Sequence, residues 1–409
     1  MSGALDGALV LDLTRFLSGP HCTLLLAGLG AEVIKLDDPA GGDPTAAAPP
    51  LVGPQGVALE RRTAEDFGIA YLKRARGKQS ATLNLKHPEG RELLLRLVER
   101  ADVVVENFRP GVAQRLGIDY PVLCARNPRL VYCALTGYGA TGPQRGLKAY
   151  DLMVQAAAGL MGVTGDPDGP PTKVGSPLSD MIAGTYAALG IVAALHERAR
   201  SGRGQAIDVS MLDCLFSMMM DEPFDCYGRL GLALRQGNRI MRFSPFNAYR
   251  ARDGWVAIGA ATHDDWVRLA EVIGREDLAG HPEYGRVGWR IAHNDEVDAL
   301  IGAWAAGRGA AEIIAQLEAR EIACAPVRTP EEAIASAQLR ARGMVQSLPL
   351  PDGSPTEVAA AAFPLKFSRS VASLDAPAPR PGVHTDAVLS QYLALSAERI
   401  AALRREGVV

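Results

Sequence analysis

The chain has 409 residues, too many for one ordinary core and enough for two or three domains. Hydrophobic residues make up 48% and charged residues 22%, the balance of an ordinary globular protein. A net charge of −3 argues against a general nucleic-acid or membrane-surface binder, which leaves a small molecule, another protein or a second copy as partner.

Taken in chain order, the first half alternates strands and helices. Ala8–Leu13 reads as a buried strand, Pro20–Leu29 as a helix and Glu32–Leu36 as the next strand. Ala40–Glu60 is rich in Gly, Pro and Ala and reads as a surface loop. A strand at Ala81–Leu85, a helix at Pro88–Arg100 and strands at Asp102–Val105 and Leu130–Leu135 follow. Met181–Arg200 is a long apolar helix stopped by S-G-R-G, and Ala206–Val209 is a further strand. This rhythm predicts an α/β fold, a Rossmann-like parallel sheet with helices on both faces. It breaks near Asp221–Arg235. Beyond that lie a strand at Trp255–Gly259 and amphipathic helices near His263–Ile273, Glu296–Ala306 and Ala310–Ala319, a smaller domain. Ser370–Pro381 is proline-rich and reads as a tether, and Thr385–Val409 holds two short helical patterns.

Six scattered cysteines show neither C-x-x-C nor zinc spacing, as expected of a reduced, cytoplasmic protein with no metal site. The start of the chain has no basic n-region and does not read as a signal peptide. Met181–Leu195 is too short and too Gly-broken to read as membrane-spanning.

The turn after the first strand, R-F-L-S-G-P-H, lacks the G-x-G-x-x-G spacing that a dinucleotide needs, and Asp37 alone is a weak ribose acid. Walker A and G-x-S-x-G motifs are missing as well. What remains is a set of short patterns at strand ends, where open α/β sheets bind ligands. They are Arg15–Gly19, Gly77–Ser80, N-F-R-P-G at Asn107–Gly111, R-L-G at Arg115–Gly117, T-G-Y-G at Thr136–Gly139 and K-A-Y-D at Lys148–Asp151. Several carry one Arg or Lys, as a ligand with several phosphates requires. The stretch G-S-P-L-S-D-M-I-A-G, Gly175–Gly184, places Asp180 where a loop becomes the long helix. A carboxylate there is favoured as an anion and is either a nucleophile or, like Ser179, a helix cap.

The ordered set resembles the class III CoA-transferase family, which includes formyl-CoA, carnitine and dicarboxylate CoA transferases and the 2-methylacyl-CoA racemases. The likeness runs from L-D-G-A-L-V-L-D-L-T through K-H-P-E-G, D-V-V-V-E-N-F-R-P-G, L-T-G-Y-G-A-T-G-P and S-G-R-G-Q-A-I-D-V-S-M-L-D to R-E-G-V-V. It implies a large CoA-binding Rossmann-like domain over 1–225, a small α+β domain over 226–335 and a segment 336–409 returning to the large domain. It also implies an interlocked-ring homodimer and no cofactor, the CoA thioester being a substrate beside a free carboxylic acid. By the same likeness Asp180 is the catalytic nucleophile and the helix cap together. Arg15, Phe16, Leu17 and Ser18 flank the thioester, and Gly77 and Lys78 belong to the CoA site. Asn107 and Phe108 lie along the CoA chain, Arg115 and Lys148 near its phosphates, and Tyr150 beside the nucleophile.

Departures from the family pattern narrow the substrate. Gln79 replaces an Arg of N-K-R-S, and Asp38 stands where the formyl-CoA enzyme is basic, so the adenine end differs. That enzyme's four-glycine loop is missing and Leu17 replaces its Gln, which turns the expectation from formyl or oxalyl groups to a dicarboxylyl-CoA such as succinyl-CoA. Arg15, Arg239 and Arg242 are the candidates to meet a second carboxylate. The alternative activity is racemisation, which needs an acid and a base on opposite faces of the α-carbon. The family's racemases use a His where this chain has Tyr150, whose ordinary pKa of about 10 suits that proton transfer poorly.

Overall fold

The computed structural model describes residues 2–409. Contacts between Cα atoms divide the chain into two compact units. The first runs through Ala158, resumes over Gly175–Met219 and again over Ala337–Val409. The second is Gly159–Val174 with Met220–Ser336. The excursion Gly159–Val174 therefore groups with the second unit, whereas the family likeness implied that it lies within the 1–225 domain. The run G-D-P-D-G-P-P at Gly165–Pro171 marks a loop there but not the unit it joins.

In the first unit, β1 (Leu9–Asp12), β2 (Glu32–Asp37), β3 (Gln79–Thr82), β4 (Val103–Glu106), β5 (Val131–Thr136) and β6 (Ala206–Ser210) form one sheet. Every pairing is parallel and the order is β3-β2-β1-β4-β5-β6, that of dinucleotide-binding folds. The inner strands β1 and β4 read L-V-L-D and V-V-V-E and are buried throughout, as strands covered on both faces must be. β3 lies nearer the N-terminus than its apolar run implies. Its register on β2 pairs Ile34 with Gln79 and Asp37 with Thr82, which leaves Leu83 beyond the ladder and inside the core.

The covering helices are α1 (Ser18–Gly28), α2 (Pro88–Val98), α3 (Asp151–Ala158), α4 (Leu178–Ser201) and α5 (Met211–Met219). α4 is long and apolar enough to cross a membrane, yet Ala183, Gly184, Ala187, Ala188 and Ile191 are buried within this unit. At Gly184 a Cβ would stand 2.5 Å from the Ser18 carbonyl oxygen, so only glycine lets α4 approach the start of α1. The region expected to be a plain loop, Ala40–Glu60, instead contributes Leu51–Gly53 and Gly56–Ala58 to a small antiparallel sheet with Phe67–Gly68. Strands this short carry no readable alternation.

The second unit is built on an antiparallel sheet, β7 (Phe246–Ala251), β8 (Gly254–Gly259) and β9 (Ala323–Pro326). α6 (His263–Val272), α7 (Asn294–Ala306) and α8 (Ala310–Glu318) bury Trp266, Ile301, Trp304 and Leu317 with it. Thr262 and Asp265 form a capping box at the start of α6. The chain then returns to the first unit. α9 (Thr385–Leu393) and α10 (Ala397–Arg405) place Val388, Leu389, Ile400 and Leu403 in the same core as Leu11, Ile34 and Val104.

Candidate functional site

β1 and β4 are neighbours whose outgoing connections run to opposite sides of the sheet, and a crevice opens at their carboxyl ends. A cavity of about 290 Å³ lies there, lined by Phe16 and Ser18 after β1, Asn107 and Phe108 after β4, Thr136 and Gly137 at the end of β5, Lys148, Tyr150 and Asp180. Asp180 is the one carboxylate in that lining. The Lys148 ammonium stands 5.1 Å from the centre of the Tyr150 ring, and Phe16 meets the same ring edge-on at 6.4 Å. A second cavity of about 340 Å³ adjoins across Phe108 and holds Arg15, Asp38, Lys86 and Arg115 over a floor of leucines. A third, of about 390 Å³, also walled by Phe108, carries Arg109 and Arg145.

Asp180 is the third residue of α4 and does not cap it. The residue before the helix is Pro177, and no side chain of the entry turn caps it. The cap comes from far away, because the Asp151 carboxylate accepts from the Ser179 amide at 2.9 Å and from the Ser179 hydroxyl at 2.8 Å. Gln155 donates to the other Asp151 oxygen at 2.7 Å. Neither the Asp180 nor the Ser179 side chain is then the helix cap, since a remote acid supplies it. The Asp180 carboxyl is free for chemistry, and burial pushes it up to about 6, with the nearby Asp151 charge adding to the rise. The Ser18 hydroxyl and amide donate to it and, together with the Arg74 charge, oppose that rise. Ser18 is the first residue of α1, so two helix N-termini converge on this carboxyl. The dipoles favour the anion, but here the loss of solvent outweighs them.

The loop Thr14–Ser18 that carries this wall is held from beneath. Asp12 is fully buried and accepts from the Thr14 amide at 2.9 Å, the Thr14 hydroxyl at 2.5 Å and the Thr23 hydroxyl at 2.6 Å. Lys78 pairs with Asp12 at 3.0 Å and donates to Thr23 and to the Pro20 carbonyl. Lys35 donates to the Thr14 carbonyl at 2.7 Å and pairs with Asp37 and Asp43. Asn107 clamps Arg15 from the side, accepting from its amide at 2.9 Å and donating to its carbonyl at 2.8 Å. Phe16 consequently keeps a left-handed backbone, φ +69°, a strained state for a non-glycine residue.

The expected site residues separate accordingly. Phe16, Ser18, Asn107, Phe108, Lys148, Tyr150 and Asp180 share the first cavity, and Arg15 and Arg115 lie in the adjoining one. Leu17 precedes α1 and Gly77 occupies an exposed turn at φ +70°, and neither lines these cavities. Lys78 is a buried structural cation that leaves no part of its side chain for a ligand. Asn107 spends its amide on Arg15. Arg239 and Arg242 are committed within the second unit, Arg239 to Asp295 and Asp298 and Arg242 to Glu222. Sequence reading passed over Arg109 and Lys86, though each sits inside a quoted run, N-F-R-P-G and K-H-P-E-G. It passed over Glu106 too, which accepts from the Phe108 amide at 2.6 Å and the Tyr132 hydroxyl at 3.0 Å. Burial pushes the Glu106 carboxyl up to about 7 against those two donors.

Residues 5–385 match the model of CoA-transferase family III. The chain is 36% identical over 395 residues to a succinyl-CoA:mesaconate CoA-transferase of Haloarcula marismortui, covering 95% of this chain and 96% of that protein. It is 34% identical over 389 residues to a succinate–glutarate CoA-transferase of Agrobacterium fabrum, covering 95% of each. Among solved structures, a CAIB/BAIF family protein from Brucella suis matches with a TM-score of 0.81 and 32% identity, over 96% of this chain and all of that one.

Proposed function

The chain belongs to CoA-transferase family III and is an enzyme of that class, and from this premise we propose that Asp180 carries CoA between a donor acyl-CoA and an acceptor carboxylic acid. The observation that supports it is the position of Asp180 as the one carboxylate lining the first cavity, with its carboxyl free of capping.

The Asp180 carboxylate attacks the thioester carbonyl of the donor, and the C–S bond breaks to give an acyl-aspartyl anhydride and CoA thiolate. The thiolate attacks the aspartyl carbonyl and the donor acid leaves as carboxylate, giving an aspartyl-CoA thioester. The acceptor carboxylate attacks that carbonyl and releases thiolate, which then attacks the acceptor acyl carbon of the new anhydride. Acceptor-CoA forms and Asp180 returns as a carboxylate. Each anhydride makes a carboxylate oxygen a leaving group, so no nucleotide hydrolysis is spent on activating the acid. Lys148 and Arg109, with Arg15, Lys86 and Arg115 in the adjoining cavity, supply cations for the phosphates of CoA. Phe108, a wall common to the cavities, lies along the ligand between them.

Dicarboxylic acids are the proposed acyl groups. The two curated relatives carry succinate, glutarate and mesaconate in their names. The expected contribution of Arg239 and Arg242 drops out, because both are already paired with acids. An interlocked homodimer belongs to the same proposal. Leu189, Phe216 and Met218 of the first unit are more than half exposed, apolar surface that a second copy would cover.

The test is covalent. Incubation with succinyl-CoA and no acceptor should leave CoA on the peptide containing Asp180, seen by mass. Hydroxylamine should convert that residue to a hydroxamate and abolish transfer. Asp180→Asn, checked for deamidation, should show neither the adduct nor transfer. Transfer at the normal rate by that variant would refute the mechanism.

A further inference from the structure

A dicarboxylic substrate has a second carboxylate, and removing Arg239 and Arg242 from consideration leaves it without a partner. Arg74 ends the short helix Ile69–Arg74 in the first unit. It is half-buried, and its Nη1 donates to the Phe16 carbonyl at 2.6 Å. Among the described residues no carboxylate forms an ion pair with it, in contrast to Arg198, Arg239, Arg242 and Arg399. One arm of the guanidinium is used, and the rest of the fork makes no ion pair, although its charge acts on Asp180 and Asp43.

Its place relative to the nucleophile follows from the chain. Phe16, whose carbonyl it holds, is two residues before Ser18, whose hydroxyl and amide donate to Asp180. Phe16 and Ser18 both line the cavity of Asp180, and the Arg74 charge reaches that carboxyl. The other cations nearby have other tasks. Lys148 and Arg109 line the Asp180 cavity as partners for the CoA phosphates, and Arg15 belongs to the adjoining cavity.

We propose that Arg74 is the specificity-determining residue that receives the non-reacting carboxylate of the acyl group, with its free N–H donors forming the two-point contact that a carboxylate favours. The Phe16 carbonyl orients the fork. Sitting on the mobile end of no loop, the guanidinium is preorganised by that hydrogen bond rather than recruited by the ligand. This inference rests on the transfer reading and deepens its substrate class.

The experiment holds the donor constant. With succinyl-CoA, wild type and Arg74→Met are compared on glutarate and on pentanoate, which has a methyl group in place of one carboxylate. The ratio of kcat/KM for glutarate over pentanoate should fall about tenfold or more in Arg74→Met. Arg74→Lys, which keeps the charge and loses the fork, should recover part of the ratio. An equal loss on both acids would mean that Arg74 only supports Phe16, and would overturn the inference. A second measurement needs no variant. Glutarate should protect the Arg74 peptide of the wild type from phenylglyoxal and pentanoate should not, and equal labelling under both acids would overturn it as well. A wild type that transfers CoA to neither acid strikes the transfer reading, and the inference falls with it. A wild type that prefers glutarate, with a ratio unmoved in Arg74→Met, strikes the inference alone.

Discussion

Asp180 titrates at about 6 because burial outweighs its Ser18 donors and the Arg74 charge. Only the ionised form is a nucleophile, so kcat/KM for acyl-CoA should fall as pH drops through about 6. Stability should move the opposite way. The folded carboxyl holds its proton to higher pH than the unfolded chain, whose value is the ordinary 3.8. The folding cost of the charge is therefore absent below 3.8 and complete above about 6. Asp180→Asn should be more stable than wild type at pH 7.5, by about 1–3 kcal/mol, with the gap closing towards pH 4. Denaturant unfolding at the two pH values checks this, and a less stable Asn variant at pH 7.5 would contradict the burial argument. Lys78 and Arg115 should separate in the same manner. Lys78→Met strands the buried Asp12 carboxylate and should cost about 3–5 kcal/mol of stability. Arg115→Ala should keep stability and raise KM for acyl-CoA more than it lowers kcat. Both residues looked alike in the sequence, as single cations in short strand-end motifs. Their difference comes from Asp12, which lies 66 positions from Lys78 and meets it only through the β3-β2-β1 order. Asp180, Phe108 and Tyr150 were legible because each sits within a motif at a predicted strand or helix end. Arg74 was not, because K-R-A-R reads as a solvated run until Phe16 is seen to turn its carbonyl towards it.

At the scale of elements, the site depends on the approach of α4 to α1. Gly184→Ala puts a methyl group against the Ser18 carbonyl, which is backbone and cannot swing aside. The helices should part, at a cost of about 1–3 kcal/mol. Because Ser18 donates to Asp180, transfer should fall further than that stability loss explains, which activity measured well below the melting temperature would reveal. An active, stable Gly184→Ala would show that the packing tolerates a wider spacing. Continuous apolar runs made β1, β2, β4 and β5 legible, and helix periodicity with stop signals did the same for α2, α4, α6, α7 and α8. The strand expected at Ala81–Leu85 slipped because a leucine beyond a strand packs as well as one within it. α3 follows directly on a loop, and α5 follows directly on β6, capped by the Ser210 hydroxyl that accepts from the Asp213 amide at 3.1 Å.

At the scale of the molecule, the proposed dimer predicts a particle of twice 43.3 kDa by size-exclusion chromatography with light scattering. A fully active monomer would reject it. The first unit is also discontinuous in sequence. Its core is closed by α9 and α10, with the Asn84 main-chain N–H donating to the Val408 carbonyl at 2.8 Å. A ribosome therefore makes every residue of the parallel sheet, then the whole second unit, before it makes the segment that seals the first. Until then the core of Leu11, Ile34 and Leu97 lacks Val388, Leu389, Ile400 and Leu403, while the second unit has all its strands and helices and can condense alone. The nascent chain should thus mature in the reverse of its written order, with the unit that holds Asp180 finished last. Chaperone engagement would concentrate on the residues translated first.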